Sequence, residues 1–248
     1  MPISLKVYAG ESGLHEGATH CVVAGFVASE RQWRLFEEEW VRLITNAGLS
    51  RFHTTNSFDR RDHRRLTDDL AETISRHRLT LIGAGVEIEA FNKLSAGERQ
   101  LATGAFMRGR KPVTSGAQSQ AYDLAFQYLL IEATNRANVD STIDFTFDRQ
   151  TVLLARQTYE DYSRHWSDEE RRQKLGSISF ESSVEFPALQ AADMLTHLWY
   201  SYMTDGIRMS EARHSAMSLV TKRREQIRLF NSERLEELLS GLTPEARV

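Results

Sequence analysis

The stretch that decides the fold is residues 178–200, ISFESSVEFPALQAADMLTHLWY. Its first residues favour a strand, a turn follows, and Pro187 suits the first position of a helix, where its missing N–H is not needed. Helical spacings of three and four place Gln190, Asp193 and His197 on one face. The opposite face is apolar and must pack against another part of the protein; it carries Ala188, Ala191, Ala192, Leu195, Leu198 and Trp199.

Strands and helices alternate along the rest of the chain after an opening hairpin. Apolar patterning predicts strands at 3–9, 21–28, 79–88, 142–148 and 177–181. It predicts helices at 29–48, 61–76, 120–136, 152–165, from 187 onward, and in a last stretch at 218–239. This order indicates an α/β fold, a mixed β-sheet flanked by helices. We expect a single domain over 1–248, with its core at about 3–205 and a C-terminal helical extension at about 206–248.

Composition narrows the classes of protein. A chain of 248 residues with 41% hydrophobic residues can bury a full core. The net charge of −3 gives no global basic field for nucleic acid. The single cysteine, Cys21, excludes an internal disulfide framework and a cysteine-rich zinc site. Neither a signal-peptide pattern nor a stretch of roughly 20 apolar residues occurs, so we expect a cytoplasmic protein without a membrane partner.

Two carboxylates are the main candidates for chemistry. Asp148 ends the strand at 142–148, where sites in α/β sheets tend to lie, although a turn-initiating Asp is an equal alternative. Asp193 lies in the first turns of its helix, where a solvated acid also gains from the helix dipole. We predict that Asp193 is functional and that His197 is not an obligate ligand. Carboxylates from distant segments are typical of metal-dependent phosphoryl-transfer sites.

Weaker candidates lie elsewhere. The turn Gly10-Glu11-Ser12-Gly13 is by itself only a tight turn, and His53, between two Phe residues, is more typical of a hydrogen-bonded structural residue. Among the basic clusters, only Arg108-Gly109-Arg110-Lys111 lacks acidic neighbours, which makes Arg108, Arg110 and Lys111 candidates for phosphate contact. The sequence contains no phosphate loop, zincin motif, dinucleotide fingerprint or nucleophile elbow.

Four short motifs share an order and spacing with a known family. They are Tyr8–Gly13, Phe52-His53-Thr54, Phe147-Asp148 and Pro187–Asp193. Over roughly residues 3–205, the chain resembles the domain of unknown function 3800 family. The resemblance implies a ribonuclease H-like fold and a metal-dependent nuclease, in a mobile-element or phage-defence setting. It further implies Mg²⁺ or Mn²⁺ bound by Glu11, Asp148 and Asp193, with nucleic acid near His53 and Gln190.

The chain departs from the family pattern at one carboxylate. The family's first acid falls on Gly10, and the adjacent Glu11 faces the other side of a regular strand. Glu11 can replace that acid only if the turn begins there or a bulge rotates it. Two hypotheses follow: a nuclease acting on nucleic-acid phosphodiesters, or a catalytically inactive interaction module that binds a protein or nucleic-acid partner. A Glu11 that points away from Asp148 and Asp193 favours the module.

Overall fold

A mixed six-stranded sheet flanked by helices forms the centre of the protein. The computed structural model describes residues 4–54, 58, 60–103, 117–138, 140–149, 152–221 and 227–242. The strands in this part of the chain are β1 Ser4–Ser12, β2 His20–Ser29, β3 Thr80–Glu87, β4 Thr142–Asp148, β5 Leu175–Glu181 and β6 Arg228–Phe230. Their order is β5-β4-β1-β2-β3-β6. β2 is antiparallel to β1 and β3, while β4 is parallel to β1, β5 to β4 and β6 to β3. The expected α/β class is confirmed.

Helices cover both faces of the sheet. Their bounds are α1 Glu30–Asn46, α2 Arg64–Arg76, α3 Ile88–Lys93, α4 Ala96–Ala102, α5 Ala117–Arg136, α6 Val152–His165, α7 Glu169–Lys174, α8 Pro187–Asp205, α9 Glu211–Val220 and α10 Ser232–Leu242. Short 3₁₀ turns precede α2 at Arg61–His63 and follow α8 at Gly206–Arg208. None of the described helices is long and apolar enough to cross a membrane.

The side chains of β1 point alternately to two hydrophobic cores, one on each face of the sheet. Val7 and Ala9 point to the face covered by α3–α6 and α10, whereas Tyr8 points to the face covered by α1, α2, α8 and α9. The apolar side of α8 packs on this second face, as its pattern predicts: Ala191, Leu195 and the other apolar residues of that side are buried. Pro187 occupies the start of α8, and β4 has the predicted bounds.

The first turn of the chain begins later than predicted. β1 continues through Ser12, and its ladder pairs Gly10 with Ala24 and Glu11 with Val23 without a break. The turn requires Gly13, whose φ is +80° and whose added Cβ would lie 1.9 Å from the carbonyl oxygen of His20. Gly10 and Glu11 are therefore strand residues, not turn residues.

The prediction of one C-terminal helix at 218–239 is also wrong in part. α9 ends at Val220, and β6 then pairs with β3 before α10 begins. The prediction followed the alternating basic and acidic residues and missed a short apolar run, in which Ile227 and Phe230 are buried. The segment after 206 is thus not a purely helical extension, because β6 adds a strand to the main sheet.

Candidate functional site

Five of the predicted site residues line one small cavity, which we call the acidic pocket. They are Glu11, His53, Asp148, Gln190 and Asp193, and the cavity has a volume of about 80 Å³. β1 and β4 are parallel neighbours, so their carboxyl ends meet at the same edge of the sheet. The pocket lies at that edge and under the first turns of α8.

The strand pattern of β4 places Asp148. Ile143, Phe145 and Phe147 are fully buried, so the alternating residues turn to the other face. Asp148 is half-buried at the end of the strand and stands opposite Glu181 of β5. Arg149 Nη2 donates to Glu181 Oε2 at 3.3 Å, which ties the two strand ends together next to the pocket.

α8 brings Asp193 over β1 at Gly10. A Cβ added to Gly10 would lie 3.7 Å from the backbone nitrogen of Asp193, an ordinary van der Waals distance. Gly10 thus faces the helix that carries Asp193, and the packing does not require glycine there. The position that would hold the family's first carboxylate borders Asp193 but provides no side chain.

Glu11 leaves the strand on the opposite face. The unbroken pairing of β1 with β2 shows no bulge at this residue, so its side chain points with Val7 and Ala9 toward the α5 side. Burial raises the pKa of the Cys21 thiol, and the carboxylates of Glu11 and Asp123 raise it further. Asp123 lies on α5 and accepts a hydrogen bond from Thr158 Oγ1 at 2.8 Å. Glu11 therefore borders the pocket from the side away from α8.

The Gln190 side chain binds protein groups around the pocket. Its Oε1 accepts from Trp40 Nε1 at 3.1 Å and from the backbone N–H of Phe52 at 3.0 Å, and its Nε2 donates to the Ser183 carbonyl at 2.8 Å. Gln190 is only 3% exposed. These contacts give it a positioning role, and the substrate contact that the resemblance implies stays a prediction.

The rim of the pocket carries a histidine and an arginine. His53 is exposed, and its ring makes no hydrogen bond with any described residue, unlike the structural histidine that its position between two Phe residues favoured. Arg51 and Ser183 also line the pocket, and the sequence analysis missed both. Arg51 could have been found from its place directly before the Phe52-His53 motif. His197 stacks on Phe58, with ring centroids 5.6 Å apart.

Comparisons with known proteins add no relative. No family model, curated protein or solved structure matches the chain. The resemblance to the domain of unknown function 3800 family therefore stays a prediction. Arg108, Arg110 and Lys111 lie outside the described residues, and so their predicted phosphate contact is untested by the structure.

The donor set of the pocket fits a hard cation only in part. Within the described ranges, no three His, Cys, Asp or Glu side chains are grouped so that they could hold a metal ion. Asp148 and Asp193 line the pocket and offer carboxylate oxygens to it. Mg²⁺ keeps several waters and is commonly held by one or two carboxylates together with substrate phosphates. Two carboxylates can thus serve as the protein's share of such a site.

Proposed function

We propose that the chain is a metal-dependent nuclease of ribonuclease H-like fold, and that its acidic pocket lacks the first carboxylate of the family. The supporting observation is that Asp148 and Asp193, 45 residues apart in sequence, line one cavity with His53 and Arg51 at its rim. Their oxygens would hold Mg²⁺ or Mn²⁺, which supplies charge stabilisation at the phosphate and an activated water.

The size of the pocket indicates where the substrate lies. A volume of about 80 Å³ corresponds to a few waters at roughly 30 Å³ each. It accommodates an ion with one or two of its waters but not a nucleotide. The nucleic acid would lie across the mouth, where the exposed side chains of Arg51 and His53 can contact a phosphodiester.

The strand order supports the ribonuclease H-like part of the proposal. Five strands in the order β5-β4-β1-β2-β3, with β2 alone antiparallel to the rest, form the mixed sheet that such a fold requires. The predicted motifs also fall on the elements that meet at the acidic pocket: β1, the 51–54 segment, β4 and α8. The family assignment and a mobile-element or phage-defence setting remain part of the proposal.

A second candidate is the catalytically inactive module that binds a protein or nucleic-acid partner. The orientation of Glu11 favours it, because Glu11 does not share the α8 face with Gly10. A site with two carboxylates instead of three attracts a hard cation less strongly. The two candidates differ in one measurable respect, which is phosphodiester cleavage.

The test is cleavage of labelled single- and double-stranded DNA and RNA with Mg²⁺ or Mn²⁺. We expect weak cleavage by the wild type and none by Asp148→Asn or Asp193→Asn, since Asn keeps the shape of Asp but not its charge. Circular dichroism should show that both variants remain folded. Equal cleavage by wild type and Asp193→Asn would identify a contaminating nuclease and remove this proposal in favour of the binding module.

A further inference from the structure

A second cavity, of about 420 Å³, lies beside α1 on the face of β1 that includes Gly10. We call it the arginine cavity; Lys6, Tyr8, Glu30, Arg31, Arg34 and Glu37 line it. Its volume is in the range of roughly 300–1,000 Å³ that small-ligand sites occupy. It is thus large enough for one nucleotide, which the acidic pocket is not.

The arginine cavity neighbours the acidic pocket. Lys6, Tyr8 and Gly10 alternate along β1 and share a face, and Tyr8 and Gly10 are about 7 Å apart at roughly 3.4 Å per residue. A backbone hydrogen bond joins the Glu37 carboxylate to the N–H of Ala188, in the first turn of α8. The helix that carries Asp193 therefore begins at the edge of the arginine cavity.

The charges in this cavity do not cancel. Lys6 Nζ and Glu30 Oε1 form an ion pair at 3.0 Å, and Glu37 is engaged by α8. Arg31 and Arg34 are exposed and make no ion pair or hydrogen bond with a described residue. They lie in the first turns of α1, where the helix dipole disfavours cations, so helix stability does not explain their presence.

Tyr8 adds a hydrogen-bond donor to the arginine cavity. The residue is 8% exposed, and its ring packs edge-on against Trp33 at 4.7 Å between centroids. Its hydroxyl has no hydrogen-bond partner among the described residues. Burial, together with the carboxylates of Glu37, Glu30 and Glu181, raises the pKa of Tyr8 to about 12, so the hydroxyl keeps its proton at neutral pH. Arg31, Arg34 and Tyr8 therefore offer hydrogen-bond donors to a ligand, and charge-assisted hydrogen bonds favour a ligand with anionic oxygens.

We propose that the arginine cavity binds a backbone phosphate of a single-stranded nucleic acid whose neighbouring phosphates reach the acidic pocket. This proposal rests on the proposed function, because the nucleic acid bound here is the one on which the acidic pocket would act. Tyr8 lines the arginine cavity and Gly10 lines the acidic pocket, and the two residues are about 7 Å apart along β1, so one strand of nucleic acid can reach both cavities. The guanidinium groups of Arg31 and Arg34 would bind the phosphate oxygens, and Tyr8 would donate to one of them.

The test measures binding without cleavage. Fluorescence anisotropy of labelled single-stranded DNA and RNA in EDTA, over a series of salt concentrations, reports affinity and its salt dependence. We expect the double variant Arg31→Ala, Arg34→Ala to bind about tenfold more weakly, with a slope of log K against log salt smaller by about 0.7 per lost phosphate contact. Tyr8→Phe should weaken binding severalfold and leave the slope unchanged.

The matched control removes the same charge at the edge of the sheet, away from β1 and α1. Arg136 and Arg234 are exposed and line a separate cavity beside β6, so Arg136→Ala, Arg234→Ala should bind like the wild type. Equal effects of the two double variants would overturn the proposal, as would a wild type that binds neither nucleic acid. If inorganic phosphate alone gives a thermal shift that depends on Arg31 and Arg34, while oligonucleotides do not bind, the nucleic-acid assignment is also overturned.

Failure of this proposal and failure of the proposed nuclease can be told apart. Arginine-dependent binding without cleavage in Mg²⁺ or Mn²⁺ would keep the phosphate site and remove the nuclease. Cleavage that does not change when Arg31 and Arg34 are replaced would keep the nuclease and remove the phosphate site.

Discussion

In the proposed nuclease, Gly10 is the residue that separates the acidic pocket from a site with three carboxylates. It lies on the same face of β1 as Tyr8 and under the backbone of Asp193, yet it offers no ligand. The distance of 3.7 Å from an added Cβ to α8 is an ordinary van der Waals contact, and the φ of Gly10 is not in the left-handed region. The packing therefore does not require glycine at position 10, and the consequence of the glycine is that no side chain is present to act as a ligand.

Gly10→Asp should raise metal-dependent cleavage, or create it. The new carboxylate would face Asp193 and supply the hard oxygen ligand that the pocket lacks. Cleavage of labelled DNA and RNA in Mn²⁺ measures the effect, and Gly10→Asn is the matched control because it fills the same space without charge. Both variants should keep the melting temperature of the wild type within a few degrees. Equal rates for the Asp and Asn variants would show that position 10 is not a ligand site.

At the scale of single residues, part of the pocket could be predicted from the sequence. Asp148 and Asp193 could be chosen because one ends an alternating strand and the other faces away from the apolar side of a helix. The direction of Glu11 could not, since it depends on where β1 ends, and Gly13 rather than Gly10 sets that point. Arg51 adjoins the Phe52-His53 motif and could have been chosen for that reason, whereas Ser183 carries no local pattern that marks it.

At the scale of elements, Gln190 joins α8 to α1 and to the two segments that border the acidic pocket. Trp40 and Gln190 are 150 positions apart in sequence, and their hydrogen bond is buried. The Phe52 N–H donates to the same side-chain oxygen, and the side-chain N–H₂ of Gln190 donates to the Ser183 carbonyl, so one amide links both segments to the helix that carries Asp193. The long-range partners explain why this role could not be predicted: spacing along α8 shows only which face Gln190 shares.

Gln190→Ala should lower the free energy of unfolding by about 2–4 kcal/mol. The change leaves the Trp40 indole N–H and the Phe52 N–H buried without an acceptor, at roughly 1–3 kcal/mol for each unsatisfied group. Urea denaturation followed by circular dichroism measures it. Gln173→Ala is the matched control: Gln173 is exposed on α7 and bonds only to Glu169, so it should stay within about 0.5 kcal/mol of wild type. A similar small loss for both variants would contradict the positioning role.

The elements themselves were predictable where a long pattern specified them. β4 alternates between buried and partly exposed residues, and α8 is a long apolar segment that begins at Pro187; the structure has both where expected. β6 has only three residues and lies among charged ones, so periodicity could not detect it. It becomes a strand because β3 offers it a parallel partner, which is a tertiary effect.

At the scale of the whole molecule, the C-terminal segment belongs to the main domain. α10 packs Leu235 and Leu239 into the core that also contains α5 residues and β1 residues Val7 and Ala9. The sequence could show that the chain can bury a core of this size. It could not show that α10 packs on the face of the sheet to which Val7 and Ala9 of β1 point. A boundary near residue 206 is therefore not a boundary of the hydrophobic core.

Leu235→Ala should destabilise the entire protein by about 2–5 kcal/mol, the usual cost of emptying a buried leucine site. Leu235 is 0% exposed, whereas Leu242, on the same helix, is 44% exposed. Leu242→Ala should change the free energy of unfolding by less than about 0.5 kcal/mol. Urea denaturation should show one cooperative transition for all three proteins. A small effect of Leu235→Ala, or a separate transition of the C-terminal segment, would contradict the single core.

Calorimetric titration with Mn²⁺ is the decisive test of the proposal that Asp148 and Asp193 together hold one divalent cation. We predict weak binding of one ion per wild-type chain, at least about tenfold weaker binding in Asp148→Asn and in Asp193→Asn, and unchanged binding in Glu11→Gln, because Glu11 leaves β1 on the other face. No heat with the wild type, or equal heat with the wild type and Asp193→Asn, would contradict the account.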